Sequence, residues 1–413
     1  MTRPFLLVLG LLAACGNDET PIDTAAGQPE ELHVMRSCEA APGRICPFAG
    51  DGYNGFNGDG VDRFDAWFSF PMSATFSAYG PVIIADWNNH KLRRLEGDDT
   101  LVTVMGTDFL GDGDADHLDA TPDGAPGTSV ALNHPTMQQY FADGTLLSAS
   151  WHTHKLRTWD PNTGLVHVIC GQGAGSTGND PEPIADALLN QPKEIAIDSA
   201  GDVYVLDMRN EQIRFLDMAS QTLTTVAGNG TKDYCGDGGP AKDACFNFPK
   251  NTNPEPGGAI ALDEVAQLLY VADTESHVIR VVDLASGIID LLAGTPQVPG
   301  DEDGAGTAAK FDFPTDLELD GDTLFVADAN NHKVRAIDLT SGDVSTFAGT
   351  GEPSCLFEGD VAVPQICDEQ HRGGDGGPAV EATLYRPFGV DLDLDGNLVI
   401  ADSYNQRFRI VYR

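Results

Sequence analysis

The sequence predicts an all-β fold, a ring of six four-stranded blades, on three observations. The first is a hairpin that recurs in register: ADWNNHKLRRL from Ala85, ASWHTHKLRTW from Ala149, LDMRNEQIRFL from Leu206, ADTESHVIRVV from Ala272, ADANNHKVRAI from Ala327 and ADSYNQRFRIV from Ala401. The second lies upstream of each hairpin, where an acidic residue precedes a proline by twelve positions. The third is composition: 46 glycines and 25 prolines suit many short strands joined by tight turns better than they suit helices. Self-similarity at a long, slightly variable period marks a repeat architecture, and four strands per repeat select a β-propeller over a helical solenoid.

Along the chain, MTRPFLLVLGLLAAC comes first, with one basic residue, an apolar run too short to span a bilayer and small residues before a cysteine. Leu12-Ala13-Ala14-Cys15 resembles the lipobox of bacterial lipoproteins, which implies a signal peptide over 1–14 and a lipid anchor on Cys15. Gly16 rather than Asp after the cysteine implies the outer membrane or cell surface of a bacterial envelope. Residues 15–31 then read as the lipidated cysteine and a flexible tether, too poor in apolar groups to pack.

Residues 32–413 are expected to form the propeller. In the fifth copy the strands are TDLELD (a), TLFVAD (b), HKVRAID (c) and DVSTFAG (d), split by turns at Asp320-Gly321-Asp322 and Ser341-Gly342-Asp343. The acid and proline pairs are Asp59 with Pro71, Asp123 with Pro135, Asp180 with Pro192, Asp237 with Pro249, Glu302 with Pro314 and Asp375 with Pro387. Nine residues after each acid stands Phe68, Leu132, Leu189, Phe246, Phe311 or Leu384, the anchor of a compact turn docked on its blade. The last unit stops at strand c, RFRIVYR, whereas GRICPFAGDG at 43–52 has the form of a strand d with no unit before it. Pairing the two would complete the sixth blade and close the ring.

These hairpins resemble the NHL repeat, named for its Asn-His-Leu, with NNHK at Asn88 and at Asn330. The resemblance covers 32–413 and implies a six-bladed β-propeller, and the GDGGPA loops look most like those of teneurin-type NHL propellers. It loosens at Ser150, which replaces the hairpin acid, and at Glu211 and Gln406, which replace His.

Asp86, Asp207, Asp273, Asp328 and Asp402 each precede an arginine by seven positions, in the series Arg93, Arg157, Arg214, Arg280, Arg335 and Arg409. Six copies cannot all be catalytic, so they read as structural: the Asp accepts N–H groups of its own turn, and the Arg reaches a carboxylate or carbonyl nearby. His90, His154, His277 and His332 invite comparison with propeller enzymes that hold zinc, such as the peptidyl-hydroxyglycine amidating lyases. The chain offers no HxxxH spacing, however, and Glu211 and Gln406 would leave a zinc ring incomplete. Asp112, Asp114 and Asp116 alternate as calcium ligands do, with Asp123 at the twelfth position, although His117 stands where an EF-hand needs Gly. Calcium there is the one cofactor the sequence offers.

Beyond Cys15, seven cysteines remain. Cys235 with Cys245 and Cys355 with Cys367 each close a short segment inside one d–a loop, and Cys38 with Cys46 is a third candidate pair. Cys170 takes a position held elsewhere by Ala and reads as a small buried thiol. No serine-nucleophile elbow, phosphate-binding loop or dinucleotide fingerprint is present.

The formal charge of −39 repels a phosphate backbone, which excludes nucleic acid as a partner class. A meander puts the b–c hairpins and the long d–a loops on one face, where binding usually resides. The expected function is a lipid-anchored extracytoplasmic binding or scaffolding module that takes a protein, peptide or glycan ligand on that face and meets the membrane only through its lipid. The alternative is a metal-dependent propeller enzyme, a lyase or hydrolase, with its site at the central channel.

Overall fold

Strand direction reverses at every turn of the fifth unit, where strands a (Pro314–Asp320), b (Thr323–Asp328), c (Lys333–Asp338) and d (Asp343–Ala348) pair in sequence order. A computed structural model of the protein describes residues 38–108, 123–171, 173, 175, 180–250, 255–353 and 373–413. Six such antiparallel sheets follow one another, and the fold is a six-bladed β-propeller. Proline opens strand a in blades one, two, three and five, a position that needs no ladder donor. Among the described residues no helix is long and apolar enough to cross a membrane.

Each sheet lies between two neighbours and buries both of its faces, so strands such as LVIAD at Leu398–Asp402 are buried throughout. Six clusters of apolar side chains fill the gaps between successive blades. Between blades five and six, for example, Phe325, Ala327 and Val334 meet Val390, Leu398 and Ile400. The loop anchors Phe68, Leu132, Leu189, Phe246, Phe311 and Leu384 are all fully buried.

The blades differ from the expected four strands in one respect. In blades one to five, two residues of the incoming d–a loop pair with the outer edge of strand d: Val61–Asp62, Ala125–Pro126, Glu182–Pro183, Gly239–Pro240 and Gly304–Ala305; in blade six a single bridge between Pro378 and Arg44 takes their place. A two-residue pairing carries no alternation that a sequence could display, yet it covers an edge that would otherwise invite pairing with another chain.

The ring closes through the strand Ile45–Ala49, which pairs antiparallel with Arg407–Val411 and is the fourth strand of the sixth blade. A glycine confirms its place. Gly50, Gly106, Gly171, Gly228, Gly294 and Gly349 each follow a strand d, with φ between +92° and +108°. A Cβ on any of them would fall 2.2–2.8 Å from the carbonyl oxygen of the adjoining hairpin, that of Gln406 in the case of Gly50. Positive φ and close approach both demand glycine.

Candidate functional site

The b–c hairpins turn through one 3₁₀ turn, Ala329–Asn331 in blade five, followed by a residue in the left-handed region, here His332 at φ 54°. The hairpin aspartates Asp86, Asp207, Asp273, Asp328 and Asp402 are fully buried. Their partners differ from those expected. The turn's own N–H is spent on a backbone carbonyl, as His332 N–H on Ala329 O, so the carboxylate takes an N–H from the incoming d–a loop. The donors are Ser69, Asn190, Asn247, Asp312 and Tyr385, at 2.6–2.9 Å. The hairpin itself contributes the side-chain amides of Asn89, Asn210, Asn331 and Asn405.

The six arginines are buried to the same degree and bind the same loops. Arg280 donates to the carbonyls of Cys245 and Cys235 at 2.7 and 2.9 Å and meets Asp237 at 2.7 Å and Asp273 at 3.4 Å. Arg335 binds the carbonyls of Lys310 and Glu302 and pairs with Asp303 and Asp328. Buried guanidinium groups persist only when so matched. In blade two, where Ser150 replaces the acid, Arg157 donates to Thr153 Oγ1 at 2.6 Å. Burial pushes Asp86, Asp273 and Asp328 up to about 6 and Asp207 up to about 7. Asp and Arg together form a clamp that fixes a loop to its blade.

The left-handed hairpin residue latches the next blade. His90 Nδ1 accepts the backbone N–H of His134, His154 Nδ1 that of Gln191, His277 Nδ1 that of Phe313 and His332 Nδ1 that of Arg386. Glu211 Oε2 accepts from Phe248 and Gln406 Oε1 from Phe70, so the six bonds run right round the ring at 2.7–3.2 Å. The position requires an acceptor of a certain reach, which is why Glu and Gln substitute for His. Five of the six donors, Phe70, His134, Gln191, Phe313 and Arg386, have positive φ, a strained state that the latch helps to hold. An accepting Nδ1 is unprotonated, and burial brings His90 and His332 down to about 4. These four imidazoles serve the blade interfaces.

The first residue of the hairpin turn breaks the repeat. It is Trp87 in blade one and the fully buried Trp151 in blade two, but Ala329 in blade five and Ser403 in blade six. An aromatic bowl results at the channel mouth on the loop-rich face. Trp87 lies 4.0 Å from the His134 ring and 5.9 Å from Trp151, Phe70 lies 5.0 Å from Tyr404, and Phe388 lies 6.0 Å from Tyr404, between ring centres. Within it the Glu255 carboxylate takes two hydrogen bonds from Arg386, at 2.7 and 2.5 Å. The Tyr404 hydroxyl donates to Glu255 at 2.9 Å and accepts from Arg386 at 2.8 Å. The guanidinium lies over the rings of Tyr404 and Phe388, at 4.8 and 5.3 Å. Glu255 and Pro256, which lead into strand a of blade four, line a cavity of about 130 Å³ with Phe70, Met72, Trp87, Phe388 and Tyr404. The buried Trp87 Nε1 has no hydrogen-bond acceptor among the described residues.

No family model matches the chain. The NHL repeat-containing protein 2 of Gallus gallus is 24% identical over 344 residues, which cover 64% of this chain and 44% of the relative. Teneurin-1 of Mus musculus is 26% identical over 258 residues, covering 59% of this chain and 8% of the relative. The chain is thus similar to NHL repeat-containing proteins, and its fold is a six-bladed β-propeller. The chain spans less than half the length of those two relatives. A solved protein of unknown function from Bacteroides thetaiotaomicron superposes on it at TM-score 0.59, with 18% identity, over 90% of this chain and 76% of the other. An auxiliary nutrient binding protein from Bacteroides ovatus does so at 0.56, with 14% identity, over 89% and 76%. These two share the fold.

In this propeller Cys38 is bonded to Cys46 and Cys235 to Cys245. Cys170 is a buried free thiol, pushed up to about 12 by burial. Cys15, Cys355, Cys367 and the calcium candidates Asp112, Asp114 and Asp116 lie outside the described residues. Of the loop acids, Asp237 and Asp375 pair with the clamp arginines, whereas Asp59 and Asp180 accept the N–H groups of Thr103 and Thr225 on strand d. The aromatic bowl was not among the sites expected from the repeat. The one available signal was the hairpin slot that holds Trp87 and Trp151 in two copies and small residues in others.

Proposed function

We propose that the protein is a lipid-anchored, extracytoplasmic binding module whose ligand, a glycan, stacks in the aromatic bowl at the channel mouth. The observation that carries this reading is the bowl's make-up: flat rings beside a Glu255, Arg386 and Tyr404 triangle and an indole N–H, that of Trp87, with no acceptor among the described residues. Ligand sites are typically apolar concavities with a few placed polar groups, and a sugar offers an apolar face to rings and hydroxyls to the rest. Two disulfides support an oxidising compartment, and the lipobox-like segment ending at Cys15 supplies the anchor. The nutrient-binding role named for the Bacteroides ovatus neighbour agrees with this reading. The enzyme alternative gains nothing from His90, His154, His277 and His332, whose Nδ1 atoms are spent on blade interfaces.

The test is a tryptophan-fluorescence titration with a panel of neutral and acidic oligosaccharides. One class should quench emission saturably, and Trp87→Ala should weaken its binding at least about tenfold, roughly the worth of one well-placed aromatic contact. A panel without any ligand, or binding indifferent to Trp87→Ala, would overturn the proposal.

A further inference from the structure

A second polar cluster lies on the channel axis toward the a–b turns, at the end away from the bowl. A cavity of about 270 Å³ there is lined by strand a of all six blades, with Gln138, Glu194, Glu318 and Asp391 among its walls. Asp316 and Lys193 are buried beside it. Some of these groups hold the blades together: Asp391 accepts the N–H of Ala74 and Asp316 that of Val390, both at 2.9 Å, each capping the free edge of the next inner strand. Lys193 meets Glu194 at 2.7 Å, Asp316 at 3.7 Å and the carbonyl of Thr315 at 2.8 Å. The cluster thus holds four carboxyl groups, those of Glu194, Asp316, Glu318 and Asp391, and the single ammonium of Lys193 contacts two of them, Glu194 and Asp316. Burial pushes Glu194 and Glu318 up to about 8 and Asp391 well above the usual carboxylate range, with the neighbouring carboxylates adding to the effect.

Gln138 supplies an independent observation. It is fully buried, and its amide nitrogen donates to Ser73 Oγ at 2.6 Å. Ser73 is already donating to the carbonyl of Thr136 at 3.0 Å, which fixes the amide's orientation. Gln138 lines the cavity, and its buried Oε1 is left with no donor among the described residues. A buried carbonyl oxygen without a donor, beside carboxylates in excess of cations, calls for a positively charged N–H group. No three Asp, Glu, His or Cys side chains among the described residues converge as metal ligands do. An ammonium group has three donors and imposes no coordination geometry. The intervening walls, Ile260, Leu262, Leu317 and Leu392, suit an alkyl stem.

We infer that this end of the channel binds a primary amine, its ammonium between Gln138 Oε1 and the carboxylates of Glu318 and Asp391, its stem along the apolar walls. The probe is n-butylammonium chloride, titrated calorimetrically into the full chain at pH 7.5 in two buffers of different ionisation enthalpy. Expected are saturable binding and net proton release, because carboxyl groups that are protonated in the empty cavity ionise when they meet the cation. Tetramethylammonium, which has no N–H, should bind at least about tenfold more weakly, and so should butylammonium to Gln138→Leu and Glu318→Gln. Should either variant not fold, proton release and the discrimination between the two cations in the unaltered protein still decide. No saturation, equal binding of tetramethylammonium, or displacement of the amine by calcium chloride would overturn the inference, the last in favour of a metal site.

Discussion

Removing the guanidinium of Arg335 would leave Asp328, fully buried, and Asp303 without their cation. Breaking a buried pair from one side costs about 3–5 kcal/mol, so Arg335→Met should lower the urea midpoint sharply. Arg157→Met should cost clearly less, because Ser150 leaves no hairpin carboxylate to be stranded in blade two; equal losses in the two variants would refute the clamp. The latch gives a second contrast. His332 titrates at about 4 in the fold against about 6.5 when unfolded, so its contribution is complete above pH 6.5 and lost as pH falls through 4. Asp86, Asp273 and Asp328 act in the opposite sense: raised to about 6, their contribution is complete below the unfolded carboxylate value and lost as pH rises through 6. Comparing His332→Gln with the parent at each pH cancels the aspartates. The two should melt together at pH 7.5, and the variant should melt higher at pH 5; a constant difference would mean that His332 does not serve as an acceptor.

At the level of the element, the b–c hairpin and the d–a loop form one unit, since the hairpin's Asp and Arg close on the loop that precedes their own blade. The disulfide between Cys235 and Cys245 reinforces a loop already held by Arg280 at both cysteine carbonyls. Closing so short a segment contributes about 2–3 kcal/mol in the chain-entropy account. Replacing both cysteines with serine should therefore lower stability by roughly that amount while far-UV dichroism stays unchanged; loss of the β spectrum would mean that the clamp cannot hold the loop alone. Strands of this size were legible in the sequence because Gly and Asp mark their turns. In the fifth blade the observed Pro314–Asp320 and Thr323–Asp328 fall within one residue of the expected segments. The partner of each hairpin Asp was not legible, because nothing local to the turn indicates that its own N–H is already engaged.

Over the whole molecule, closure depends on a strand remote in sequence from the blade it completes. Deleting residues 1–49 would remove Ile45, Cys46, Phe48 and Ala49 from two interblade clusters and bare the edge of Arg407–Val411. Amide exchange in 407–411, measured by mass spectrometry, should change from protected to fast, and retained protection would contradict the closure. The ring, its blade number and this closure were readable because the repeat fixes the register of Asp, Arg and Gly. The bowl and the channel were not readable, for different reasons. The bowl depends on departures from the repeat, Trp87 and Trp151 against Ala329 and Ser403, whereas repeat detection rewards agreement. Polar residues in strand a, such as Asp316 and Glu318 in TDLELD, look like a solvent-facing alternation, and only the assembled ring turns that face onto the axis.

The latch from Gln406 to Phe70 takes the same place between blades six and one as the other five latches take between their blades, a side-chain acceptor of the hairpin holding a backbone N–H of the next blade. The ring of latches therefore has no first blade. A circular permutant with residue 413 joined to residue 38 and new ends cut between Ser341 and Gly342 would keep every one of these contacts, and order of synthesis would be a property of the gene alone.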